Sequence, residues 1–165
     1  MSLRTLGSVH PRSTRTAEAS KPTWTEEEVR QIILHSREWM NVKFRHQGRS
    51  KYGVDCIGLF SEVAKEIGRN IPIPSNYTHH PDQQFLLAEM KRLFDKITKA
   101  ELAIGDLALM RFMDDQKRIP CRHVVMITDL GVLHSSAQFR KVTEHCLDDE
   151  WMAKIEHCFR MRRVA

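Results

Sequence analysis

The side chains with the most chemical potential are one cysteine and two histidines. Cys56 follows Asp55, a good helix N-cap, and precedes an apolar stripe of Leu59, Phe60, Val63, Ala64 and Ile67. That pattern puts a thiol in the first turn of a core-packed helix. There, unpaired amide N–H groups and the positive end of the helix dipole favour the thiolate. The spacing predicts a lowered thiol pKa and an amide ready to donate to an oxyanion. The bland reading of the same position is a buried structural cysteine.

His123 opens a strand predicted over Cys121–Thr128, where Cys121, His123, Val125 and Ile127 share one face. An imidazole there could face the Cys56 thiol across the helix–sheet junction. Beyond the turn Asp129-Leu130-Gly131 lies His134, which a hairpin of that length brings beside His123. A nucleophile, a base and a group that orients the base make up the general layout of cysteine-protease chemistry. On their own, strand histidines are more commonly structural. Zinc is the competing chemistry, drawn from Cys121, His123, His134, His145, Cys146, His157 and Cys158. None of these has a structural-zinc spacing, so no metal and no cofactor is expected.

The elements that must position these residues follow from periodicity. Thr25-Glu26-Glu27-Glu28 is a capping-box pattern, and Val29, Ile32, Ile33, Trp39 and Met40 extend a helix towards Asn41. A polar loop, Phe44 to Gly53, leads into the Cys56 helix, which Gly68 closes. Its residues His46 and Gln47 are candidates for the cleft wall. Asp55 is explained by helix capping. His79-His80 reads as a solvated loop. A third helix is predicted from Pro81, with Leu86, Met90, Leu93, Phe94 and Ile97 on its buried face. The period then changes to that of strands: Leu107–Phe112, Cys121–Thr128, Val132–Ser135 and Phe139–Val142. A brief helix over Asp148–Lys154 and a last strand over Ile155–Met161 complete the chain. Arg160, Arg162 and Arg163 read as a solvated terminus. Helices followed by an antiparallel meander predict an α+β domain.

Composition sets outer limits. The chain has 165 residues, 41% of them apolar, enough for one core. Four cysteines without a C-x-x-C suit a reducing compartment better than a disulfide scaffold. No apolar run is long enough to span a membrane, and no secretory leader is read at the N-terminus. The net charge of +5 is concentrated in residues 1–22, where Arg4, Arg12, Arg15 and Lys21 against Glu18 leave +3. Residues 1–22 are expected to form a disordered basic arm, and residues 23–165 a single domain. That domain is too weakly basic to suggest a nucleic-acid partner.

Four short motifs carry a resemblance. Val54-Asp55-Cys56-Ile57-Gly58-Leu59-Phe60, Gly105-Asp106-Leu107, Arg122-His123-Val124-Val125-Met126-Ile127 and Val132-Leu133-His134-Ser135 occur in the order found in NlpC-type cell-wall cysteine peptidases. The segment Phe44-Arg45-His46-Gln47-Gly48 is similar to one in the phage and gene-transfer-agent tail branch of that family. The resemblance implies a papain-like fold and a Cys-His-polar triad carried onto Cys56, His123 and His134. Phe44, His46, Gln47 and Asp55 become the residues expected around the substrate. It implies a peptidoglycan peptide substrate cut beside a γ-linked D-glutamyl residue, tail hub or baseplate partners, and a place in a virion tail. Two positions depart from the family: Phe44 replaces a Tyr whose hydroxyl lies near the nucleophile, and Ile57 stands where Ser is common. Tyr52 and Tyr77 are the candidate substitutes for that hydroxyl. The Phe44 departure leaves room for a structural tail-tip adaptor. An interbacterial amidase toxin shares the chemistry, and a neighbouring immunity protein would single it out.

Overall fold

The computed structural model describes residues 20–74, 76–77, 83–111 and 123–164. Elements run in the order β1 (Thr23–Trp24), α1 (Glu26–Arg37), β2 (Arg49–Ser50), β3 (Gly53–Val54), α2 (Cys56–Glu66), α3 (Gln83–Leu93) and β4 (Asp95–Ile97). They continue with β5 (Leu107–Met110), β6 (His123–Thr128), β7 (Gly131–Ser136), β8 (Lys141–His145), α4 (Asp149–Lys154), β9 (Ile155–Arg160) and β10 (Arg162–Arg163). Lys21 is in contact with the fold: its ammonium donates to the Phe94 carbonyl at 2.7 Å. The expected arm over 1–22 otherwise falls outside the described residues up to position 19.

Helix α1 starts where its capping box predicts. The Thr25 hydroxyl accepts from the Glu28 amide, and the Glu28 carboxylate accepts from the Thr25 amide. It ends at Arg37, earlier than Asn41, and Asn41 itself takes a positive φ of 67°. Ile97 is not on the third helix. That helix stops at Leu93, and Asp95–Ile97 pairs antiparallel with β9. Pro81 lies outside the described residues.

The main sheet has six strands in the order β4-β9-β5-β6-β7-β8. Only β5 to β8 form the expected meander. The last long strand crosses back to lie between β4 and β5, so the two halves of the chain close into one sheet. One face carries Leu107, Leu109, Val124, Met126, Leu133, Val142 and Phe159 and packs on the helical residues Ile32, Leu59, Phe60 and Leu86 and on Phe94, just past α3. The opposite face carries Ala108, Met110, Val125, Ile127, Val132 and Cys158, and α4 covers it with Trp151 and Met152. Strand β8 runs Lys141–His145 rather than Phe139–Val142, and Phe139 stands exposed in the preceding turn.

Arg160 is not a solvated terminal residue. Its guanidinium grips the fully buried Asp106 carboxylate with bonds of 2.9 and 2.7 Å and reaches the Glu101 carbonyl at 2.7 Å. Arg162 pairs with Asp95, and Arg163 with Glu26. These bonds account for the Gly105-Asp106-Leu107 motif. Gly105 takes a φ of 89°, and a Cβ there would collide with Val29. Asp106 then holds the Ala103 amide and Arg160 together. Asp106→Ala leaves the guanidinium without its partner. Because Arg160 keeps some solvent contact, a loss of about 2 kcal/mol is expected, read from urea unfolding.

Candidate active site

The site is assembled by the loop that enters α2. Asp55 is buried, and its carboxylate is the N-cap of α2, accepting from the Gly58 amide at 2.7 Å. The same carboxylate accepts from the Gln47 amide at 2.8 Å, from Arg49 at 3.1 Å and from the Tyr77 hydroxyl. Arg49 also donates to the Tyr77 hydroxyl at 2.9 Å. The loop thus folds back onto the first turn of the helix. Gly58 permits this, since a Cβ there would collide with the Gly48 carbonyl and the Arg49 guanidinium. A second tie comes from the sheet: the buried Ser135 hydroxyl donates to the Val54 carbonyl at 2.6 Å, joining β7 to the residue just before Asp55.

Cys56 therefore stands at the start of α2 against β6. The amides facing its sulfur belong to Val124, Ile57 and Cys56 itself. Val124 directly follows His123. The residue keeps partial exposure, yet burial pushes its thiol up to about 12, and the Asp55 charge adds to the rise. This reverses the lowered value expected from the helix terminus. The three amides do favour the thiolate, but desolvation and a neighbouring carboxylate outweigh them.

The two histidines meet as the hairpin predicts. His123 Nε2 lies 2.6 Å from His134 Nδ1, and both residues are buried. Burial lowers His123 to about 3, helped by the charge of His145. Burial also lowers His134 to about 2, with His123 and His145 contributing. Both rings are neutral at physiological pH. A third ring continues the line: His134 Nε2 is 2.8 Å from His145 Nε2. The sequence reading missed this neighbour because it ended the eighth strand at Val142. Strand alternation from Thr143, the cross-strand partner of His134, is the signal that finds it.

The remaining candidates take distinct places. His46 is half-buried, and its ring meets Tyr77 edge-on at 5.5 Å. Gln47 has a φ of 58° and donates its side-chain amide to the Tyr77 carbonyl. Asp55 is thus engaged inside the fold, and Gln47, exposed at its edge, is tied to Asp55 and to Tyr77. Phe44 is half-buried, bridges to Val54, and donates its amide to the Arg140 carbonyl at 3.0 Å. Of the two tyrosine candidates for the family hydroxyl, Tyr52 is 90% exposed, whereas Tyr77 is buried against Asp55. Cys121, His79 and His80 lie outside the described residues. Among the described residues, no helix is long and apolar enough to cross a membrane.

A cysteine at a helix start, packed on an antiparallel sheet that carries paired histidines, defines a papain-like domain. The chain belongs to the NlpC/P60 family, whose sequence profile matches residues 41–161. Its structure is similar to that of an NlpC/P60 family protein from Bacillus cereus, with a TM-score of 0.61 and 23% identity over 87% of this chain and 42% of that one. It is also similar to the NlpC/p60 domain of the peptidoglycan hydrolase SagA, with a TM-score of 0.58 and 18% identity over 81% of this chain and 98% of that one. A third similar structure is the peptidoglycan hydrolase RipB from Mycobacterium tuberculosis, with a TM-score of 0.55 and 22% identity over 82% of this chain and 65% of that one. The chain spans less than half of the Bacillus cereus protein and 44% of a Staphylococcus aureus NLP/P60 family protein. No curated protein matches it significantly.

The buried groups fix a pH profile of stability. Between about 3 and 6.5 the folded His123 binds fewer protons than the unfolded chain, so stability is lost as pH falls below 6.5. Between 9.0 and about 12 the folded Cys56 holds a proton the unfolded chain has released, so stability is lost as pH rises above 9.0. Thermal melting is expected to show a plateau between these limits, and Cys56→Ala to flatten its alkaline edge.

Proposed function

We propose that the chain is a cysteine peptidase that hydrolyses the peptide stems of peptidoglycan. Cys56 is the nucleophile, His123 its general base, and His134 the group that orients the base. The observation that carries this reading is the buried His123–His134 pair across β6 and β7, with the amide of Val124, next after His123, facing the Cys56 sulfur. Family membership and the hydrolase names of two structural relatives support it.

The mechanism follows from the resting charges. The thiol and the imidazoles are neutral, so the site stores no ion pair. A bound peptide carbonyl gives the electron pair of sulfur somewhere to go. The Cys56 proton passes to His123 as the carbon–sulfur bond forms. The Cys56 amide stabilises the oxyanion. His123 then protonates the leaving amine, and water hydrolyses the thioester. The cut falls beside the γ-linked D-glutamyl residue. His46 and Phe44 border the peptide, while Asp55 and Gln47 hold the loop that carries them.

The setting proposed is a phage-type tail. The chain is made in the host cytoplasm, docks on tail hub or baseplate proteins, and opens the wall during DNA delivery. The segment Phe44-Arg45-His46-Gln47-Gly48 supports this. A structural tail-tip role is the second reading, favoured by Phe44 and by a thiol held neutral at rest.

Purified peptidoglycan distinguishes the two readings. The parent is expected to release new amino termini, and Cys56→Ala to be slower by roughly 10⁴-fold or more. Equal release by both proteins would remove Cys56 from the chemistry. No release by either, from a folded protein, would favour the structural role.

A further inference from the structure

The line of imidazoles does not stop at His134. His145, half-exposed on β8, places Nε2 2.8 Å from His134 Nε2 and Nδ1 3.0 Å from the Cys146 carbonyl oxygen. A carbonyl only accepts, so His145 Nδ1 carries a hydrogen. In a neutral ring the Nε2 atom is then an acceptor. His134 must donate to it from Nε2, which leaves His134 Nδ1 as an acceptor. His123 must in turn donate from Nε2 across the 2.6 Å contact. Each bond dictates the next, and the line ends with the lone pair of His123 on Nδ1.

We propose that His145 is a positioning residue that sets the tautomer of His123, acting through His134 and anchored by the Cys146 carbonyl. The inference deepens the peptidase reading and rests on it for its kinetic consequence only. A base must hold a lone pair where the thiol proton arrives. If the anchor donated instead of accepting, every bond in the line would reverse, and Nδ1 of His123 would already hold a proton.

The surroundings suit that role. Trp151 of α4 lies 4.3 Å from the His145 ring and 5.6 Å from that of His134, measured between centroids. Phe139 lies 5.8 Å from His134 and stacks on Trp151 at 6.0 Å. Two aromatic rings thus flank the line and limit the water that could offer other partners. Neutral rings suit it too, because burial keeps His123 and His134 uncharged. Two neutral imidazoles in series have only two consistent proton arrangements, and the group at position 145 selects between them.

The test combines nitrogen NMR of the imidazoles with two opposite substitutions. In the full-length parent near pH 7.5, His123 is expected to carry its hydrogen on Nε2. A His123 protonated on Nδ1 would overturn the proposal without any activity being measured. His145→Glu offers only an acceptor, and His145→Lys only donors. The Glu protein is expected to keep the parental tautomer. The Lys protein is expected to show the reversed one and to release peptide roughly 10²-fold more slowly than the Glu protein, the scale of a general base. Equal rates and equal tautomers in the two variants would also overturn it. If the Lys protein fails to fold, the parental tautomer still decides. A parent with the expected tautomer and no hydrolysis would fault the peptidase reading and leave this one standing.

Discussion

Everything at the site depends on one buried carboxylate. Asp55 receives bonds from the Gly58 amide, the Gln47 amide, Arg49 and the Tyr77 hydroxyl, so the entry loop, the first turn of α2 and the segment at Tyr77 meet at two oxygen atoms. A buried charge without such partners is strongly unfavourable, and this requirement fixes the loop more firmly than apolar packing alone would. The loop in turn fixes the first turn of α2 and the position of Cys56. The Ser135–Val54 bond then ties that turn to the strand carrying His134. Cys56 and the histidines come from elements far apart in sequence, and these polar ties join those elements.

Burial sets the resting state of the site, and at the thiol the charge that anchors the loop adds to it. Asp55 opposes ionisation of the neighbouring thiol, and burial opposes ionisation of the thiol and of the imidazoles. A site of this kind favours an uncharged thiol and uncharged imidazoles at rest. Such a thiol is less exposed to adventitious oxidation and alkylation than a standing thiolate.

Much of this was legible in the sequence because local signals were strong. The Thr25 box, the Asp55 cap and Gly68 marked two helices, and β-period patterns marked five strands of the sheet. The His123–His134 meeting followed from hairpin length alone. What escaped depended on distant partners. Strand β4 is read as the end of a helix until β9 is known to pair with it. Arg160 reads as solvated until Asp106 is found beneath it. The thiol pKa went the other way because the helix terminus is a local effect, whereas burial, the largest cause, is set by the whole fold; the charge of the adjacent Asp55 adds to it. His145 escaped through a strand boundary placed three residues early.

The central claim is that Cys56 attacks a peptide carbonyl of the cell wall. Its most direct test is mass spectrometry of the protein quenched in acid during turnover of a soluble stem peptide. The account predicts a transient mass increase equal to the acyl fragment, mapped to the peptide containing Cys56 and released by hydroxylamine. Hydrolysis that proceeds with no adduct on Cys56, and continues in Cys56→Ala, would contradict it.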